Sequence, residues 1–411
     1  MKTLSRKIYK CQLSKKKDLT KILSLGFLPP VNNYHSINSS LSKEIFFETE
    51  LMHSKSSNLV QLGTIVNKEI IFPKSYPYTS STTKVLRDNF KELYDATTKI
   101  INLKKNDLVI DIGSNDGNLL NNFKKKHQVL GITPEAIGKI AIKRGINTLI
   151  RYFDKTAVKL ILRKFGKAKI VTATNVFAHI DDINSLMRNI TKILDKNGIF
   201  IVEVHYLVSL IKTLQYDTIY HEHMRYYSLT SLNYLFKKFN FRIFKTKEIP
   251  THGGSIRVYV TKNKTFKTDN SVKQILKFEK KYLKMKTFLL FKNRVVKSKI
   301  SLYALINKLN LQNKKVFGVG SPSRGATLVN YIGLNEDLLK CILEIKGSHK
   351  IGKYMPGTKI PIFEENYIYK NKPDYLLLLS WHISKSLIKI FKKKGYKGKF
   401  IIPLPKPKII S

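Results

Sequence analysis

Residues Tyr220 to His223 read YHEH, two histidines on either side of a glutamate. Titratable groups set in succession are costly to bury together, so a use for them is expected. The i, i+2 spacing would put His221 and His223 on one face of an extended chain, as a zinc site needs. A metal is disfavoured, however, because HExxH would require a histidine where Arg225 stands and no Cys/His cluster supplies further ligands. Acid/base chemistry fits better. Imidazole titrates near neutral pH, and an adjacent carboxylate can orient it. Tyr220, Tyr226 and Tyr227 add phenols, and His179 in NVFAHIDD follows a predicted strand, where an α/β sheet binds its ligands. A satisfied network of buried polar groups competes evenly with this reading.

A second stretch, VIDIGSNDG, sets Asp111 at a strand end and then Gly113 and Gly117 across a tight turn into a helix. Glycines allow close backbone approach to a ligand, and a helix N-terminus offers free N–H groups. The spacing is not GxGxxG, and Asp116 lies inside the turn. A short acidic turn suits a cofactor without a pyrophosphate; S-adenosylmethionine, with its cationic sulfonium and amino group, qualifies. A structural turn without ligand is the competing reading. GVGSPSRG, Gly318 to Gly325, is weaker: a phosphate site and a plain turn are equally compatible, although Arg324 would suit an anion.

The surrounding pattern says what must hold these residues. Residues 1–85 mix short apolar runs with turns, as in LGFLPPVNN, and predict a small loop-rich domain. VLRDNFKELYDATTKIINL has helical spacing. DLVIDIG, KIVTATNVF and GIFIVEV are apolar strands separated by helical sequence, which predicts a doubly wound α/β sheet over 86–265. Residues 266–310 form a charged helical connector. Residues 311–411 start with a second strand, glycine turn and helix, and add strands in DLLKCILEI and DYLLLLSW, so a second α/β domain is expected there.

Composition bounds the rest. A chain of 411 residues that is 43% hydrophobic and 25% charged is globular rather than disordered. No apolar run is long enough to cross a bilayer, and no apolar segment follows the basic start MKTLSRKIYKC, so neither a membrane span nor a signal peptide is expected. Cys11 and Cys341 allow no disulfide framework, which fits a reducing cytoplasm. The net charge of +47 would favour polyanions. Its lysines are spread over the whole chain with many Ile and Asn, as codon drift produces, and no RNA-binding signature accompanies them. Attraction of a diphosphate substrate is a secondary benefit.

IYHEHMRYYSLTSL followed by THGGSIRVYV resembles the S-adenosylmethionine-dependent sugar C-methyltransferases, which act on dTDP-linked deoxy-ketosugars. IGSNDG, NVFAHI, GSHKIGKYMPGTKIPI and PDYLLLLSWHI extend the resemblance, in family order, over almost the whole chain. It implies a small N-terminal zinc-binding domain, a central Rossmann-like methyltransferase domain and a C-terminal Rossmann-like domain. It also implies roles. His223 would be the base that removes a proton beside the ketone, with Glu222 positioning it or relaying the proton. Tyr220 and His179 would be donors near the sugar. Asp111, Gly113, Asn115, Gly117, Thr133 and Asn175 would hold the cofactor. Tyr76, Tyr78, His252, Arg257 and Arg324 would meet a nucleotide-sugar substrate, Arg257 at its diphosphate. No nucleic-acid or membrane partner is implied.

Two departures stand out. The family's CxxC pairs align with Cys11…Ser14 and Ser54…Ser57, and serine is a poor zinc ligand. One Cys with nearby His53 makes no structural site, so the expectation is no metal and a domain held by packing alone. In GITPE, Thr133 stands where such domains usually place a ribose-binding carboxylate, with Glu135 two residues later. The rival readings are the same fold with another acceptor, an inactive sugar-nucleotide-binding homologue, and an RNA methyltransferase that rests on charge alone.

Overall fold

The computed structural model describes residues 3–38, 44–72 and 83–411. Five strands lie in the first part: β1 (Ser5–Lys7), β2 (Leu19–Leu28), β3 (Phe47–Ser54), β4 (Val60–Leu62) and β5 (Thr64–Val66). The middle carries β6 (Leu108–Ile112), β7 (Gln128–Thr133), β8 (Thr148–Ile150), β9 (Ala168–Thr174), β10 (Leu194–His205), the short β11 (Arg225–Tyr226), β12 (Arg242–Ile249) and β13 (Ser255–Thr261). The last part adds β14 (Val316–Val319), β15 (Ile342–Glu344), β16 (Ile362–Glu364), β17 (Tyr375–Leu378), β18 (Lys399–Ile402) and β19 (Lys408–Ile410).

The central sheet has seven strands in the order β12-β13-β10-β9-β6-β7-β8. β6 through β10 run parallel, and β13 enters antiparallel between β10 and β12. Its middle strands are largely apolar because helices cover both faces: all five residues of β6 are buried, Asp111 among them. Asp154 and Asp182 cap two of those helices, each carboxylate accepting from backbone N–H groups of the first turn. Strand order reverses between β6 and β9, so their carboxyl ends leave a crevice where such sheets take ligands.

The last part repeats the architecture as a six-stranded sheet, β16-β15-β14-β17-β18-β19, parallel except for β19. Its order reverses between β14 and β17. The connector is two helices, Asn270–Tyr282 and Met285–Leu311, divided at Leu283 and Lys284. The longer one buries Phe288, Phe291, Val295, Leu302 and Ile306 along one face.

The first part is more ordered than loop-rich turns predict. The ten-residue β2 and the eight-residue β3 pair antiparallel, and their sheet has the order β11-β4-β3-β2. Its outer strand comes from the residues directly after YHEH: Arg225 pairs with Gln61 and Tyr226 with Val60. That pairing pins the central domain's key loop to the N-terminal sheet. Among the described residues no helix is long and apolar enough to cross a membrane.

Candidate active site

The residues of YHEH go three different ways. His221 is 2% exposed and reaches into the N-terminal sheet, its Nε2 3.1 Å from Thr49 Oγ1. Glu222 is equally closed off, and its carboxylate accepts a 2.6 Å hydrogen bond from Asn32 Nδ2. His223 turns to its own loop: Nδ1 lies 2.9 Å from the Thr218 carbonyl oxygen and Nε2 3.3 Å from the Tyr220 hydroxyl. A carbonyl can only accept, so His223 carries its proton on Nδ1 and presents a lone pair at Nε2.

His179 is held the same way. Its Nδ1 donates to the Glu222 carbonyl at 2.8 Å, and its ring centroid lies 5.0 Å from that of His223. Burial lowers the His179 pKa to about 4 and pushes that of His223 well below the usual imidazole value, with His179 adding to the effect. Both rings are therefore neutral at physiological pH. With its Nδ1 proton given to the Glu222 carbonyl, the neutral His179 ring presents Nε2 as an acceptor. Tyr220 remains a donor, since burial and then the Glu222 charge raise its pKa well above the ordinary phenol value.

The HGGS turn closes the other side. His252 adopts a left-handed backbone, followed by Gly253 and Gly254 at positive φ. A Cβ on Gly253 would stand 2.3 Å from Gln215 Oε1, so only glycine fits. Gln215 in turn donates from Nε2 to the Gly253 carbonyl at 2.6 Å. His205, at the carboxyl end of β10, stands in the same region. Its Nε2 is buried without a partner, and burial, with Arg324 and His252 nearby, lowers its pKa to about 3.

At the sheet's crevice, Asp111 ends β6 with Thr172 Oγ1 donating to it at 2.6 Å. Burial raises the Asp111 pKa to about 7, against that hydrogen bond, and the Glu203 charge adds to the rise. Gly113, Asn115, Gly117 and Asn175 all have positive φ, which folds the chain sharply away from the strand ends. The turns after β6 and β9 touch: a Cβ on Gly113 would meet Val176 at 2.9 Å. At the end of β7, Thr133 is 1% exposed and donates to Glu135 at 2.5 Å. That hydrogen bond holds the Glu135 carboxylate close to the end of β7. The Ser114 hydroxyl in the β6 turn is buried without a partner. Carboxyls at Asp111 and Glu135 with an orphaned hydroxyl between their strands suit a ligand with a cationic centre and ribose hydroxyls, so S-adenosylmethionine fits this donor set.

Two arginines lie elsewhere than expected. Arg257 is fully buried and directs its guanidinium to Glu203 at 2.5 Å, Glu92 at 2.6 Å and Asn89 at 3.1 Å. It ties β13 to β10 and to the helix Lys84–Ile100 and is not turned toward a diphosphate. Arg324 is 7% exposed and grips Asp217 with two nitrogens, at 2.7 and 2.9 Å. Tyr76 and Tyr78 fall outside the described residues. The residues that the sequence reading passed over, Asn32, His205, Gln215, Asp217 and Thr218, act through geometry.

The positions aligned with the CxxC pairs contact one another. Cys11 Sγ lies 3.1 Å from Ser57 Oγ, Ser57 donates to Ser54 at 3.1 Å, and Ser56 donates to Ser14 at 2.9 Å. Asp18 anchors the group by accepting from Ser54 Oγ at 3.0 Å and from the Ser56 N–H at 2.6 Å. One thiol among hydroxyls does not fit zinc, and hydrogen bonds rather than packing alone join these loops. Among the described residues no group of three or more His, Cys, Asp or Glu is placed to hold a metal.

Three family models match the chain in order: a zinc-binding domain over residues 11–72, a methyltransferase domain over 84–246 and a C-methyltransferase C-terminal domain over 250–405. The C-methyltransferase NovU of Streptomyces niveus is 29% identical over 422 residues, covering 100% of this chain and 99% of its own. Among solved structures, magnesium protoporphyrin IX methyltransferase of Synechocystis with bound SAH is 12% identical. It covers 43% of this chain and 83% of its own, with a TM-score of 0.34. The PH0226 protein of Pyrococcus horikoshii is 16% identical over 47% of this chain and 97% of its own, with a TM-score of 0.35.

Proposed function

We infer that this chain, which belongs to the C-methyltransferase family, methylates a carbon beside the ketone of a nucleotide-linked keto-deoxysugar of the dTDP type. S-adenosylmethionine supplies an electrophilic methyl group on its sulfonium. The chain's own work is to make the carbon nucleophilic, because a C–H bond next to a ketone has no free electron pair. His223 accepts that proton at Nε2, and the C–H electron pair moves onto the ketone oxygen as an enolate. The Thr218 carbonyl, already holding the Nδ1 proton, stabilises the imidazolium that forms.

Tyr220 has a coupled part. Its hydroxyl donates to His223 Nε2. Nε2 has a single acceptor lone pair, so the phenol turns from it to the ketone oxygen as substrate enters, which frees Nε2 for the carbon's proton and lets Tyr220 donate to the enolate oxygen as it forms. Glu222 supports the loop through Asn32 and its backbone carbonyl on His179. The observation that supports this reading is the pair of imidazoles whose Nδ1 atoms each face a backbone carbonyl, which turns each Nε2 into an acceptor.

Incubation with S-adenosylmethionine and a dTDP-linked 4-keto-6-deoxyhexose is the test. The reading predicts one added methyl, bonded to carbon by NMR. A methyl on oxygen, or no transfer to any ketosugar nucleotide, sinks it. A second neutral acceptor at His179 gives one specific rival, in which that ring is the base and His223 orients it.

A further inference from the structure

Asp217 sits in the 3-10 turn Tyr216–Thr218, whose last carbonyl holds His223 Nδ1. Asp217 is fully buried, and its carboxylate is gripped from another domain. Arg324 donates to both of its oxygens, and Trp381 Nε1 donates to Oδ2 at 2.7 Å. The guanidinium also lies over the indole, 4.8 Å from the ring centre. Arg324 follows β14 in the helix Ser323–Ile332, and Trp381 follows β17. These adjacent parallel strands flank the point where the C-terminal sheet reverses its order. That crevice, ordinarily a ligand-binding place, grips a side chain of the central domain with a bidentate ion pair and a third donor.

We propose that Arg324 and Trp381 are positioning residues for His223, acting through Asp217. The proposal rests on the reading of His223 as the base. The carboxylate is one residue from the carbonyl that fixes the His223 tautomer. The turn has little freedom between them, because Thr218 also donates from its N–H and Oγ1 to the Gln215 carbonyl at 3.1 and 2.7 Å. Moving Asp217 therefore moves the Thr218 carbonyl, and with it the orientation of Nε2. Misplacing a reacting group by about 1 Å costs on the order of 100-fold in rate. The C-terminal domain would then contribute to catalysis without touching the reacting carbon.

The test uses full-length Trp381→Phe, Arg324→Lys and Asp217→Asn. The first keeps the ring and loses one donor; the second keeps the charge and loses the fork. Two readouts are taken: kcat, KM and S-adenosylmethionine affinity, and the His223 tautomer by 15N NMR. Wild type is expected to show a single Nδ1–H tautomer. Each variant is expected to lose about 10- to 100-fold in kcat, with KM and cofactor affinity within about threefold and the His223 tautomer mixed. Should Asp217→Asn not fold, the two milder variants decide. Unchanged kcat and tautomer in both would overturn the proposal, as would a fall in kcat with the tautomer intact, which describes a mere domain fastener. A rise in KM at constant kcat would overturn it too, by returning Arg324 to substrate binding. If wild type methylates no ketosugar, the acceptor reading fails while the tautomer still decides the positioning claim.

Discussion

His223 Nδ1 lies 2.9 Å from the carbonyl oxygen of Thr218, and that contact decides what the opposite ring nitrogen can do. The carbonyl takes the only ring proton of a neutral imidazole, so Nε2 faces Tyr220 as an acceptor. Replacing His223 by Gln or Ala should lower kcat by about 10²- to 10⁴-fold, the usual worth of a general base. S-adenosylmethionine affinity by calorimetry should stay unchanged. A larger loss from His179→Gln than from His223→Gln would give the base role to His179.

Cofactor affinity should depend on Glu135 more than on Thr133. Glu135 is the carboxylate at the end of β7, and Thr133 only orients it. Loss of a charged hydrogen bond costs roughly 1.5–3 kcal/mol, so Glu135→Ala should weaken S-adenosylmethionine binding by about 10- to 100-fold. Thr133→Val should cost only a few-fold. Titration calorimetry ranks the two, and equal effects would refute the assignment.

Stability should fall as the solution turns acidic. His179, His205 and His221 have folded pKa values of about 4, 3 and 4, each lowered first by burial. An unfolded imidazole titrates near 6.5, so between these values the unfolded chain binds more protons. Each histidine then subtracts at most about 1.4 kcal/mol per pH unit as pH drops from 6.5 toward 4, and nothing above 7. Asp111, held up to about 7, works in the opposite sense over this range and offsets about one histidine, which leaves a net decline. Urea unfolding at pH 7.5, 6.5, 5.5 and 5.0 should show a plateau and then a decline. A constant midpoint down to pH 5 would contradict the neutral cluster.

The Cys11 region should accept zinc once thiols are restored. Its thiol and hydroxyls already lie about as close as ligands on one tetrahedral ion require, with Zn–S near 2.3 Å. The triple variant Ser14→Cys, Ser54→Cys, Ser57→Cys should bind one zinc per chain and gain chelator-sensitive thermal stability. Wild type should be indifferent to chelator. A triple variant that takes up no metal would mean that these loops are not spaced for an ion.

Arg257→Met should be the most disruptive single change in the sheet. It strands the buried carboxylate of Glu203, and breaking such a pair by removing one partner costs about 3–5 kcal/mol. Denaturant unfolding should register that loss. A change of less than about 1 kcal/mol would show that the ion pair is not needed for the fold.

The regular core was legible in the chain because apolar runs such as LVIDI in β6 and IFIVEV in β10 carry the signal of doubly buried parallel strands. The glycine turn after β6 and the histidines of YHEH were legible as chemistry-bearing types. What the arginines do was not. Arg257 meets Glu92 across 165 positions, and Arg324 meets Asp217 across 107, so sequence shows a cation but not the carboxylate that claims it. Nor could residue types give the tautomers of His179 and His223, which depend on backbone carbonyls. Likewise, β11 gives no strand signal of its own: two residues become a strand because β4 is there to pair with.

The central claim is that His223 takes a proton from the substrate carbon. The direct measurement is deuterium wash-in from D₂O at that carbon of a dTDP-linked ketosugar, with wild type and His223→Gln compared under S-adenosylhomocysteine, which cannot donate a methyl. Enzyme-dependent exchange in wild type, lost by at least about 100-fold in His223→Gln, is the predicted result. Exchange at the wild-type rate in His223→Gln would contradict it.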